Sequence, residues 1–67
     1  MSATYSIKED NAGLWRICRD DQDLASQLRL EQAIKQANRL SRDERSATGE
    51  DVVVEMLGPD FAITLAQ

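Results

Sequence analysis

The segment Leu24-Ala25-Ser26-Gln27-Leu28-Arg29-Leu30-Glu31-Gln32-Ala33-Ile34-Lys35-Gln36-Ala37-Asn38-Arg39-Leu40 admits two drawings, and the choice between them decides the fold. Drawn as one helix, it spreads its leucines around the axis. At about 100° per residue, Leu30, Ala33, Ile34, Ala37 and Leu40 fall in one sector of roughly 120°, while Leu24 and Leu28 point nearly opposite. Drawn as a short strand over Leu24 to Leu28, the same residues put Leu24, Ser26 and Leu28 on one side. The second drawing leaves no leucine stranded, so it predicts a third strand at about Leu24 to Leu28 and a helix from near Arg29. No Ser, Thr, Asp or Asn immediately precedes Leu30, so the helix start is weakly marked, and Ser26 is an alternative cap for an earlier start. Gly49 is well placed to end the helix in the left-handed conformation.

Working outward, Tyr5 and Ile7 alternate with Thr4, Ser6 and Lys8, and Trp15 and Ile17 alternate with Leu14, Arg16 and Cys18. Glu9-Asp10-Asn11-Ala12-Gly13 lies between them and supplies turn chemistry, so the two runs predict a β-hairpin. On the far side of the helix, Val52, Val54 and Met56 alternate with Val53, Glu55 and Leu57. Gly58-Pro59-Asp60 then connects to Phe61, Ile63 and Leu65, a second hairpin. The expected fold is α+β, β-β-β-α-β-β, with one mostly antiparallel sheet and a single helix packed on one face. A helix crossing back from the third strand delivers the fourth beside the first, giving the order 3-2-1-4-5. The expected core joins Tyr5, Ile7, Trp15, Ile17, Val52, Val54, Met56, Phe61, Ile63 and Leu65 to the helix stripe. On the opposite sheet face, Val53 and Leu57 are expected to form a modest apolar patch among Ser6, Arg16, Cys18, Glu55, Ala62 and Thr64.

The chain has 67 residues, enough for one domain over 1–67 and no more. Cys18 is the only cysteine and histidine is absent, so neither a disulfide framework nor a His/Cys metal site is expected to support the core. Met1-Ser2-Ala3-Thr4 shows no signal-peptide pattern, and no apolar run approaches a membrane span, which makes a cytoplasmic location the expectation. Eight basic against twelve acidic side chains give a net charge of −4, unfavourable to general phosphate-backbone binding. The balance reverses locally. Arg29, Lys35, Arg39, Arg42 and Arg45 outnumber Glu31, Asp43 and Glu44 within the helical segment.

The chemistry of the side chains excludes most enzyme classes. There is no histidine for a Ser-His-Asp set, no phosphate-binding G-x-x-x-x-G-K loop, and little room for a concave site. Asp20, Asp21 and Asp23 lack calcium-loop spacing and a bidentate Glu at the twelfth position, and so are assigned to a solvated turn. Cys18 is expected to be partly exposed on the open sheet face and inert, with acidic neighbours and no base. Trp15 shares a face with Ile17 and is assigned to the core. No enzymatic activity and no cofactor are expected.

The run Gly13-Leu14-Trp15-Arg16-Ile17, a polar turn, a short strand, and Glu31-Gln32-Ala33-Ile34-Lys35-Gln36-Ala37 resembles a family of short, mostly bacterial domains of unknown function. In that family a G-x-W-x-V hairpin precedes an E-x-A-x-x-x-A helix and a closing strand pair. The β-β-β-α-β outline is also similar to the HicB-type antitoxins, although this chain lacks their P-x-x-P-G-C-type strand end and the extra DNA-binding segment of many members. Neither resemblance supplies a catalytic residue. The functional expectation is a binding or accessory module acting on a protein partner or a second copy, through an edge strand or the open face around Val53 and Leu57. The alternatives are nucleic-acid binding by the exposed ridge Lys35, Arg39 and Arg42, and an antitoxin role.

Overall fold

Alternating apolar residues in two hairpins need a cover, and the one helix provides it. A computed structural model describes residues 3–66. The strands are β1 (Ala3–Glu9), β2 (Trp15–Arg19), β3 (Gln22–Leu28), β4 (Val52–Leu57) and β5 (Ala62–Ala66), and the helix α1 (Leu30–Thr48) joins β3 to β4. The sheet order is β3-β2-β1-β4-β5, as the meander and crossover predict. β1 and β4 are parallel and every other pair is antiparallel. The α+β fold with a mostly antiparallel sheet is therefore the one read from the sequence.

The core lies between α1 and the three central strands. Tyr5, Ile7, Trp15, Ile17, Val52 and Val54 meet Ala33 and Ala37, with Ala25, Leu28, Ile34, Leu40 and Met56 packed around them. Ile7, Ile17, Val52 and Val54 are fully buried. Each such side chain stabilises the fold by about 1.5–3 kcal/mol through burial. The buried residues of α1 are Ala33, Ala37 and Ser41, spaced four apart. Small residues on this line let the helix axis sit close to the sheet. Leu30, placed in the core by phase, is 37% exposed at the helix start.

The helix ends are built differently. At the N-terminus Arg29 adopts extended geometry and its N–H donates to Gln32 Oε1 at 3.3 Å. A guanidinium has no acceptor, so this is half of a capping box. Ser26 takes no part. At the C-terminus Gly49 has φ 73° and its N–H donates to the carbonyl of Arg45 at 2.8 Å. Gly49→Ala is expected to destabilise the domain by about 1–2 kcal/mol, because a Cβ disfavours this conformation. A urea titration showing no loss would contradict that reading.

Three departures from the sequence reading have physical causes. In β3, Ala25 pairs with Ile17 and Leu28 with Trp15, three steps against two, and Asp23 pairs with Cys18, two steps against one. Each extra residue is a β-bulge that reverses the alternation. Ala25 and Leu28 therefore reach the core, whereas Leu24 is 39% exposed. Gln27, inside one bulge, has φ 57°.

The second departure is at β5. Phe61, Ile63 and Leu65, expected in the core, are 42%, 46% and 38% exposed. The helix packs chiefly on β4, β1 and β2 and does not extend over β5.

The third departure is on the open face. Cys18 and Ser6 are buried there. Asp23, Cys18, Ser6, Glu55 and Thr64 form one cross-strand row over all five strands. Cys18 Sγ donates to Asp23 Oδ1 at 2.9 Å and Ser6 Oγ to Glu55 Oε1 at 3.0 Å, so the two buried members of the row find partners within it.

Candidate interaction surfaces

Five surface features bear on function: the flank of α1, the acidic turn, the open sheet face, and the two sheet edges. On the helix flank, Lys35 and Arg39 line a groove of about 550 Å³ with Leu28, Leu40, Gln32, Gln36 and Asp43. Two members of the basic ridge thus share a groove with two leucines. Arg42, the third, is exposed but is not part of its lining. The electrostatics are less basic than the ridge suggests. Lys35 Nζ lies 3.3 Å from Glu31 Oε1, a favourable i,i+4 pair, and Asp43 lines the groove itself.

In the acidic turn Asp20 and Asp23 are engaged separately. Asp20 Oδ1 accepts from the Thr4 N–H at 3.2 Å, and Asp23 accepts from the Cys18 thiol. Among the described residues, no three His, Cys, Asp or Glu side chains come together to hold a metal ion. Burial and the hydrogen bond to Asp23 push the Cys18 thiol up from its ordinary pKa, favouring the protonated form.

On the open face, Val53 and Leu57 are half-buried and lie two residues either side of Glu55. The polar row therefore passes between them and splits the expected apolar patch.

The edges differ from one another. β3 carries Asp23, two bulges and a left-handed residue, all of which interrupt a regular row of free backbone groups. β5 has no charged residue and no proline, and its described apolar side chains are about two-fifths exposed. Its hairpin is closed by the Gly58 N–H donating to the Phe61 carbonyl at 2.9 Å, and the Phe61 ring lies across Gly58 where a Cβ would stand. Its one irregularity faces the Val54/Glu55 step, near the strand's end.

The sequence reading also missed a polar lock. Glu44 Oε1 accepts from the Tyr5 hydroxyl at 2.7 Å, and its two oxygens accept from Arg19 Nε at 2.7 Å and Nη2 at 3.0 Å. The paired guanidinium and the phenol hold the Glu44 carboxyl down at about 2. Burial and the neighbouring carboxylate push the Tyr5 phenol up. Close by, Arg45 Nη2 donates to the Val52 carbonyl at 2.8 Å. Together these contacts pin the last turns of α1 to β1, β2 and β4. The signal for Glu44 is its phase: at about 100° per residue it falls between Ala37 and Ala33, a carboxylate on the buried side of the helix.

No family model, curated protein or solved structure matches this chain. Among the described residues, no helix is long and apolar enough to cross a membrane.

Proposed function

We propose that this chain is a non-enzymatic protein-binding module that recruits its partner by strand addition at β5. The observation that supports this reading is the contrast between the edges: β3 is bulged and charged, β5 is uncharged with its apolar side chains half uncovered. Edge strands are ordinarily guarded by charge, proline or bulges, and a strand lacking these through most of its length is suited to receive another strand. Main-chain hydrogen bonds would supply affinity and the side chains of Phe61 and Ile63 the preference for apolar partners.

The open face supports a docking role less, since Glu55 divides Val53 from Leu57. Nucleic-acid binding through Lys35, Arg39 and Arg42 is also the weaker reading, because Glu31 pairs with Lys35 and Asp43 sits beside Arg39 in the groove. The test is panning of a displayed library of extended peptides. Wild-type protein is expected to enrich alternating apolar, β-branched sequences, Ile63→Lys to lose them, and Lys35→Glu to keep them. Enrichment indifferent to Ile63→Lys, or abolished by Lys35→Glu, would overturn the reading.

A further inference from the structure

We infer that the partner taken by the β5 edge is a second copy of this chain, paired antiparallel about a two-fold axis at Ile63. This rests on the strand-addition reading and names its occupant. The Gly58 N–H to Phe61 carbonyl bond marks those residues as a hydrogen-bonded pair. Met56 opposes Ile63, Leu57 opposes Ala62 and Glu55 opposes Thr64. In an antiparallel ladder bonded and non-bonded pairs alternate, so Ile63 bonds toward β4, while the N–H and C=O of Ala62 and Thr64 point to the free edge.

Those outward groups match themselves. With the axis at Ile63, Ala62 of one copy meets Thr64 of the other, and the reverse, so four main-chain hydrogen bonds flank the axis. Ile63 faces Ile63 of the second copy in a non-hydrogen-bonded pair, the closer kind, where side chains touch best. Phe61, two residues from Ile63, lies with it on the helix side, while Leu65 is the extra residue of the β5 bulge, beyond the paired segment. Ile63, 46% exposed in one copy, is thus covered at the axis by its counterpart.

Charge selects the occupant further. A charge at the axis would face its own copy, and the stretch from Phe61 to Ala66 contains none. The β5 irregularity follows Thr64, beyond the four bonding groups. The contact is isologous and closes as a dimer, leaving the bulged β3 edges outermost.

One strand pair buries less than the about 1,200 Å² of a standard stable interface, so association in the range of tens to hundreds of micromolar is expected. Sedimentation equilibrium under reducing conditions, which exclude a Cys18 disulfide, should show the 7.5 kDa chain doubling in mass between about 5 and about 500 µM. Ile63→Lys places like charges at the axis and Thr64→Pro removes an outward N–H. Both should stay monomeric throughout, with circular dichroism unchanged. A wild type that never doubles, or a dimer persisting in both variants, overturns the inference. In mixed-label samples, nuclear Overhauser contacts between Ile63 methyls of different copies are expected, and their absence from a dimeric sample also overturns it without relying on any variant. The peptide panning separates the two readings: a monomer that still enriches extended peptides through Ile63 keeps the edge and loses the second copy.

Discussion

Trp15→Ala is expected to leave the chain largely unfolded at physiological temperature. The indole is 7% exposed, packed in the cluster with Tyr5, Ile7 and Ile17, and it sits at the end of β2 where Leu28 pairs across from it. Truncating a buried tryptophan costs about 3–5 kcal/mol from lost burial and the cavity left behind. A domain of this length has a total stability of about 3–10 kcal/mol, so the loss is a large share of the whole. The check is urea unfolding followed by circular dichroism, since the variant has no tryptophan left to report by fluorescence. A variant within about 1 kcal/mol of wild type would mean the ring is not a core anchor, and would return Trp15 to consideration as a ligand-stacking group.

Glu44→Gln is expected to lower the melting temperature by several degrees at neutral pH and to flatten the acid limb of the stability profile. The folded carboxyl is held at about 2 against an ordinary 4.5. As pH falls below that ordinary value, the unfolded chain takes up a proton that the folded chain refuses, which favours unfolding. The contribution of Glu44 is therefore complete above about pH 5 and lost progressively toward pH 2. Thermal melts of wild type and variant between pH 7 and pH 2.5 measure the difference directly, and curves that stay parallel over that interval would show that Glu44 does not govern the limb. Tyr5→Phe removes one of the two groups that hold the carboxyl down, and should move the limb part of the way toward that of Glu44→Gln.

These two expectations mark what was legible in the sequence and what was not. Trp15 was readable because local alternation with Ile17 fixes its face whatever the tertiary structure. The strand order was readable because the leucine phase breaks between Leu28 and Leu30, and a crossover helix has few places to deliver β4. The phase of Glu44 marks it as a carboxylate on the buried side of the helix, but its partners Tyr5 and Arg19 lie 39 and 25 residues away and no local pattern encodes them. The bulges in β3 were equally invisible: alternation assumes a regular strand, and one extra residue silently exchanges Leu24 for Ala25. The exposure of Phe61, Ile63 and Leu65 was missed for a third reason. Period-two patterning shows that a strand has an apolar side, but whether anything covers that side depends on where the strand falls in the sheet. The edge proposed as the interaction site came from that gap between pattern and coverage.

The parallel contact between β1 and β4 also sets the order in which the molecule can be made. β1 is the middle strand of the sheet, yet its neighbour β4 begins at Val52, after the whole of α1. During synthesis β1 and β2 can form a hairpin early. The apolar flank of β1 nevertheless stays unpaired until most of the chain has emerged, since non-local pairing must wait for loop closure. A product truncated before Val52 would present β1 as a naked edge lined by Tyr5 and Ile7. Such fragments leave unpaired a strand edge that β4 covers in the folded sheet, and are expected to aggregate more readily than the folded domain.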